Sequence, residues 1–302
     1  MSRVIVTGGS GFIGSNLVDR LVEDGHTVVV IDNESSDAHE VFYHNNYASY
    51  WDYSISKYND IEPLFKDIDY VFHLAAESRI QPAIENPRLA VETNVIGTCN
   101  VLQAARENNV KRVMYSSTSS AYGLNNPIPN KENMPKDCLN PYSVSKTAGE
   151  ELCQMYTKLF DLKTVIFRYF NVYGERQPTK GQYAPIIGLF HKQHSEKKPM
   201  TVVGDGLQRR DYTHVSDVVN VNVLAAFSNN SNIFGEVFNI GTGTNHSVLD
   251  ITKLIGGDNA IITHIPERPG ESKETLSDSS KAYKYLKWSP KVKLENWIKS
   301  II

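Results

Sequence analysis

The run Thr7-Gly8-Gly9-Ser10-Gly11-Phe12-Ile13-Gly14 constrains the fold more than any other stretch of this 302-residue chain. Val4-Ile5-Val6 before it reads as a buried strand. After it, Ile13, Leu17 and Leu21 recur at i, i+4 and i+8 with Val18 and Val22 beside them, the period of an amphipathic helix. A glycine turn between strand and helix lets the backbone approach a pyrophosphate closely, and the helix N-terminus offers it unpaired N–H groups. The glycines fit both G-x-G-x-x-G and the wider G-x-x-G-x-x-G. A second apolar run, Val28-Val29-Val30-Ile31, ends at Asp32, where a carboxylate suits the ribose hydroxyls of an adenosine. Lys and Arg are missing between Arg20 and Lys57, so a ribose 2′-phosphate would meet Asp32 and Glu34 with no counter-charge. NAD is therefore expected rather than NADP.

A hydrophobic content of 40% and a charged fraction of 22% are those of an ordinary globular protein. The formal net charge of −3 argues against a partner that is nucleic acid or a membrane surface. No apolar run approaches the length of a membrane-spanning helix. The chain opens on a strand-like run, so no signal or transit peptide is expected. Cys99, Cys138 and Cys153 are odd in number and widely spaced, which suits neither a disulfide framework nor a zinc site and points to a reducing, cytoplasmic setting. The histidines show no ligand spacing; His191 and His194 read as solvated on a surface helix, and no metal is expected.

Strand-like runs at 3–7, 27–32, 69–74, 111–116 and 163–168, with a shorter one ending at Asp52, alternate with helical patterns near 12–25, 58–66, 85–108 and 143–160. The alternation predicts an α/β fold, a Rossmann-type doubly wound parallel sheet with helices on both faces. Ligands of such sheets bind beyond the carboxyl ends of the strands, so Thr7, Asp32, Asp52, Ala75 and Ser116 should line one crevice. After Asn171 the texture changes. Pro178, Gly181 and Pro185 break the pattern, and a helix near 184–196 and a strand near 200–203 follow. The apolar strand 236–240 should rejoin the parallel sheet. Residues 1–170 thus read as an NAD-binding domain and 171–302 as a smaller, interleaved lobe. The polar stretch from Asn33 to Asn46 reads as a surface excursion near the adenosine.

Tyr142-Ser143-Val144-Ser145-Lys146 follows Pro141, a residue suited to a helix start. At i and i+4 the phenol and the ammonium share a helix face. An ammonium favours the phenolate of a tyrosine that is otherwise too weak a base at neutral pH, so Tyr142 can serve as a general base. Ser116-Ser117-Thr118-Ser119-Ser120-Ala121-Tyr122-Gly123, leaving the fifth strand, can supply a hydroxyl that bridges a substrate hydroxyl and the tyrosine. Either stretch alone is common, the first on surface helices and the second in turns. Their order after a dinucleotide-type turn is what gives them weight.

With these residues in place the chain resembles the extended short-chain dehydrogenase/reductase family, and within it the nucleotide-sugar 4-epimerases of the UDP-galactose (UDP-glucose) 4-epimerase type. The resemblance spans essentially the whole chain, adding His73-Leu74-Ala75-Ala76, Asn94 to Thr98, Arg168 to Gly174, Gly204-Asp205-Gly206, Arg210-Asp211-Tyr212, Asn239 to Gly243 and Arg268-Pro269-Gly270-Glu271. It implies that Thr118 and Tyr142 are the catalytic hydroxyl and base, and that Lys146 binds the nicotinamide ribose and tunes Tyr142. It implies that Gly8, Gly11, Phe12, Ile13, Gly14, Asp32, Asn33, Leu74, Ala75, Ala76, Asn94, Ser116 and Tyr169 hold NAD, with Asp52 and Tyr53 at the adenine. Ser78, Thr118, Asn171, Gln182, Tyr183, Arg210, Arg268 and Thr275 would hold a UDP-hexose. Asn171, Arg210 and Arg268 would grip the nucleotide diphosphate, arginine forks pairing with phosphate oxygens. Thr275 would border the sugar's C2 substituent, where a small residue admits an N-acetyl group. A homodimer formed by helices near 88–108 and 143–160 is implied as well.

The departures narrow the reaction. Related 4,6-dehydratases carry an Asp-Glu pair directly after the catalytic Thr, and UDP-glucuronate decarboxylases keep a Glu at the second position; here stand Ser119 and Ser120. NAD-dependent 4-epimerisation of a UDP-hexose, by transient oxidation at C4 and hydride return, is the expected activity. Another nucleotide-sugar enzyme on this scaffold (reductase, dehydratase or other epimerase) and a non-catalytic dinucleotide- or RNA-binding protein remain open alternatives.

Overall fold

The computed structural model describes residues 1–179 and 184–302. Its central sheet has seven strands, labelled here in chain order: β1 (Arg3–Thr7), β2 (Thr27–Ile31), β3 (Ser49–Trp51), β4 (Tyr70–His73), β5 (Arg112–Thr118), β6 (Thr164–Tyr169) and β7 (Glu236–Ile240). They lie in the order β7-β6-β5-β4-β1-β2-β3, every pairing parallel. The chain runs outward from β1 to one edge, then returns beside β1 as β4 and continues to the other. That reversal makes the gap between β1 and β4 the point where a crevice opens beyond the strand ends.

Strict two-residue alternation explains why the strands read as continuous apolar runs. Val4, Val6, Val28 and Val30 pack on one face of the sheet, and Ile5, Val29 and Ile31 on the other. Helix Phe12–Glu23 covers the first face together with helix Val215–Ala226 and Trp288. The second face is covered by the helices Thr98–Glu107 and Pro141–Phe160 and by Ile61 and Phe65. A separate core joins Phe190, Val202, Tyr212, Ile251 and Ile298 in the lobe beside the crevice.

Several elements differ from their sequence outlines. The helix expected over 85–108 is broken into Ile80–Glu85, Pro87–Val91, a π-helical turn Glu92–Gly97 and Thr98–Glu107. Pro87 cannot donate to a preceding turn, and the Asn86 side chain instead caps a new helix by accepting from Leu89 N at 3.2 Å. The strand expected at 111–116 runs on to Thr118. Helix Val215–Ala226, which the sequence did not announce, is rich in β-branched valine, a modest helix former. Burial of most of its length beside helix Phe12–Glu23 decides its conformation. Among the described residues no helix is long and apolar enough to cross a membrane.

Candidate functional site

One cleft of about 940 Å³ runs along the carboxyl edge of the sheet and under the second lobe. Its first wall is the glycine turn. Gly8 has φ +72°, and a Cβ there would stand 2.7 Å from Ala75 N. A Cβ on Gly14 would stand 2.0 Å from the Gly8 carbonyl oxygen, so the helix can cross the turn only while position 14 is bare. At Gly11, by contrast, a Cβ would meet nothing nearer than 3.5 Å, and no side chain caps helix Phe12–Glu23. Its first N–H groups are left for an anion. Asp32 accepts from Ser10 N and Glu34 N, both at 2.9 Å, and burial raises its pKa against those bonds. An uncapped helix end, a bare glycine face and a carboxylate at the next strand end together fit the pyrophosphate and adenosine ribose of NAD.

The other expected cofactor residues spread along this wall. Phe12, Ile13, Asn33, Tyr53, Leu74, Ala75, Ala76, Ser116 and Tyr169 border the cleft. Tyr169 is deeply set: its hydroxyl accepts from Ser116 Oγ at 3.2 Å and Asn222 Nδ2 at 2.7 Å, and burial pushes it to about 12. Two residues stand elsewhere. Asp52 is exposed at the end of β3, outside the cleft wall. Asn94 is wholly buried and turned inward; its amide accepts from Glu77 N and donates to Glu77 O and Ser145 Oγ, which binds the π turn to the catalytic helix.

The stretch from Asn33 to Asn46 is more than a surface excursion. Asp37, Ala38, His39 and Phe42 border the cleft, and Asp37 pairs with Arg79 across its mouth. Tyr43 N donates to Ser10 O, and Glu40 meets Lys192 of the second lobe. These residues carried no recognisable sequence signal, because a polar loop without period looks alike whether it faces water or a ligand.

Thr118, Tyr142 and Lys146 all border the cleft. Asn140 and Pro141 set the helix start: the Asn140 side chain accepts from Ser143 N at 2.9 Å, and Ser143 Oγ accepts from Asn140 N at 3.3 Å, a reciprocal capping box. Tyr142 therefore sits in the first helical turn and borders the cleft with Thr118. Lys146 is 3% exposed, with Nζ 4.4 Å from the centroid of the Tyr115 ring. Burial raises Tyr142, with the Thr118 hydroxyl acting the other way. Burial lowers Lys146 to about 7, against the opposing charge of Cys153 and Glu150. Ser117, adjacent in sequence to Thr118, is committed elsewhere, donating to Glu150 at 2.6 Å. Ser119 and Ser120 also border the cleft.

The expected substrate residues border the cleft from both parts of the chain, Ser78 from the first and Asn171, Arg210, Arg268 and Thr275 from the second. Asn171 Nδ2 donates to Asp211 O at 3.0 Å and to Thr275 Oγ1 at 3.3 Å, and Arg210 lies 3.7 Å from Glu271. Thr275 is 7% exposed with its hydroxyl already engaged. Gln182 and Tyr183 lie outside the described residues. His191 is not free in solvent: its ring bonds the Ile301 carbonyl at 2.9 Å.

The chain matches the family model described as the NAD dependent epimerase/dehydratase family over residues 4–241. A UDP-glucose 4-epimerase of Mycolicibacterium smegmatis is 33% identical, the alignment covering 98% of this chain and 96% of that protein. The crystal structure of a Thermotoga maritima UDP-glucose 4-epimerase with UDP-glucose superposes with a TM-score of 0.91 at 34% identity, covering 98% of this chain and 96% of the other. A Bacillus cereus UDP-glucuronic acid 4-epimerase in complex with UDP-glucuronic acid and NAD gives 0.88 at 34% identity over 98% and 96%.

The Lys146 environment carries a stability signature. Its folded pKa of about 7 lies below the ordinary 10.5, so between those values the folded chain binds fewer protons than the unfolded one. Stability from this group rises with pH across that window, by at most about 1.4 kcal/mol per pH unit. Urea denaturation of cofactor-stripped wild type and Lys146→Met from about pH 7 to about pH 9 should show the wild type gaining on the variant. Parallel slopes would contradict the assignment.

Proposed function

This chain belongs to the NAD-dependent epimerase/dehydratase family and is an NAD-dependent isomerase; within that class we propose that it interconverts UDP-glucose and UDP-galactose by inverting C4 of the hexose. The observation that carries this reading is that Thr118, Tyr142 and Lys146 line one cleft whose adjoining positions are Ser119 and Ser120. Elimination or decarboxylation would call for a carboxylate there.

Tyr142 takes the proton from the C4 hydroxyl and later returns it. Thr118 bridges that hydroxyl and the phenol, holding both in line. Lys146 steadies the phenolate by opposite charge and reaches the nicotinamide ribose. The glycine turn and Asp32 would hold NAD, which when bound would accept the C4 hydride and return it. Arg210, Arg268 and Asn171 grip the nucleotide diphosphate. Anchoring at the diphosphate leaves the sugar able to present its opposite face between the two half-reactions. The three cysteines are all free thiols, which suits a cytoplasmic setting.

Incubation with a panel of UDP- and dTDP-sugars, read by proton NMR, should show interconversion of the UDP-hexose pair with no net NADH formed; a net redox change would mark a reductase instead. Tyr142→Phe should fold, keep NAD and lose turnover by about 10² or more. Near-normal turnover in that variant would remove Tyr142 from the chemistry.

Substrate breadth follows from the wall at Thr275. A small, hydroxyl-engaged residue leaves volume beside the C2 substituent, whereas a bulky one would clash with an N-acetyl group. Comparable kcat/KM is expected for the UDP-hexose and UDP-N-acetylhexosamine pairs, with Thr275→Tyr losing the N-acetylated pair selectively. Wild type that ignores the N-acetylated pair would refute the gate.

The proposed assembly is a homodimer. Val144 and Leu159 on helix Pro141–Phe160, and Val91 and Ile96 on the elements before helix Thr98–Glu107, are 53%, 69%, 45% and 51% exposed. Light scattering should return about twice 33.9 kDa, and an Ile96→Glu/Leu159→Glu variant should return the single-chain mass. A single-chain mass for the wild type would refute the dimer.

A further inference from the structure

Glu150 stands one helical turn beyond Lys146 and is fully buried. Its Oε1 accepts from Ser117 Oγ at 2.6 Å and from Arg168 Nε at 2.9 Å; its Oε2 accepts from Arg168 Nη2 at 2.8 Å and lies 3.2 Å from Lys136 Nζ. Arg168 is 2% exposed and rests 4.8 Å from the centroid of the Tyr122 ring. Neither Glu150 nor Arg168 borders the cleft. Taking such a pair out of water is costly, and apolar residues of similar volume often serve stability as well or better. The partners show what the pair accomplishes instead. Ser117 is the residue before Thr118 on β5, and Arg168 is the residue before Tyr169 on β6. One carboxylate therefore ties the catalytic helix to the ends of the two strands that carry cleft hydroxyls.

We propose that Glu150 is a positioning residue that fixes the register of the catalytic helix against β5, so that Thr118 and Tyr142 stay in hydrogen-bond reach of one hydroxyl. This rests on the roles proposed above for Thr118, Tyr142 and Lys146. Misplacement of reacting groups by about 1 Å can cost about 10²-fold in rate, so a buried brace outside the cleft has leverage on turnover. The same carboxylate also faces Lys146. The groups around that ammonium are Tyr115 on β5, His73 on β4, and Cys153 and Glu150 on its own helix. His73 is held neutral, its pKa lowered to about 3 by burial and Lys146, between Thr7 and Thr98. Glu150 is thus the carboxylate that opposes loss of the Lys146 proton, and removing its charge leaves Arg168 uncompensated nearby.

The test uses the NAD-loaded variants Ser117→Ala, Glu150→Gln and Glu150→Asp, with Tyr142→Phe as reference. Glu150→Gln should lose kcat by about tenfold or more at unchanged KM and NAD content, and the alkaline limb of its pH profile should move to lower pH. Glu150→Asp should recover part of the loss and the wild-type limb. Ser117→Ala keeps the ion pair and should fold, losing kcat by a smaller factor with KM unchanged. Should Glu150→Gln not fold, Ser117→Ala decides. Wild-type kcat in Ser117→Ala, or an equal loss at every pH in Glu150→Gln, would overturn the proposal while an inactive Tyr142→Phe left the catalytic reading standing. Turnover retained by Tyr142→Phe would overturn both.

Discussion

A helix can cross the Gly8–Gly11 turn at van der Waals contact only while position 14 has no side chain, because a Cβ there would stand 2.0 Å from the Gly8 carbonyl. That backbone-on-backbone contact sets where the uncapped end of helix Phe12–Glu23 points. It points along the gap between β1 and β4, where the strand order reverses and the sheet leaves room beyond its ends. Ala75 N closes on the same turn from β4, so the two strands and the helix share one corner. The cofactor wall is thereby built from main chain, which cannot swing aside, rather than from long side chains.

Within the cleft burial acts in opposite directions on two of the groups proposed to carry the chemistry. It pushes the Tyr142 phenol up and the Lys146 ammonium down, so each is biased towards its neutral form. The Thr118 hydroxyl works against that bias at Tyr142, and Cys153 and Glu150 work against it at Lys146. A base that is protonated at rest and deprotonated when its surroundings gain positive charge can take a proton and return it, each of which the proposed inversion needs once per turnover. The second lobe contributes Arg210 and Arg268 to the same cleft, and in the proposed reaction a diphosphate held by them would leave the sugar able to turn.

How far the sequence revealed all this depended on whether the signal was local. The sheet was legible because parallel strands buried on both faces must be apolar without interruption, as Val28 to Ile31 are. The glycine turn and the Asn140-Pro141 start of the catalytic helix were legible because tight turns and caps restrict residue choice at fixed offsets. Helix Val215–Ala226 was not, since a helix apolar on nearly every side loses its period. The break between Glu85 and Thr98 hid behind a run that looked continuously helical until Pro87 and the π turn were seen. Long-range partners left no trace at all: Asp37 with Arg79, Lys192 with Glu40, and Glu150 with Ser117 and Arg168 are joined only by the fold. Asn94 was read from resemblance as a cofactor residue, and its amide is in fact spent inside the protein on Glu77 and Ser145.

The central claim, that C4 is oxidised and re-reduced within one cleft, is tested most directly by following a deuterium placed at C4 of UDP-glucose. On conversion to UDP-galactose in ordinary water the label should remain at C4, because the hydride that leaves that carbon returns to it, and no NADH should accumulate. Loss of the label to solvent, or a product formed with net consumption of cofactor, would contradict the account.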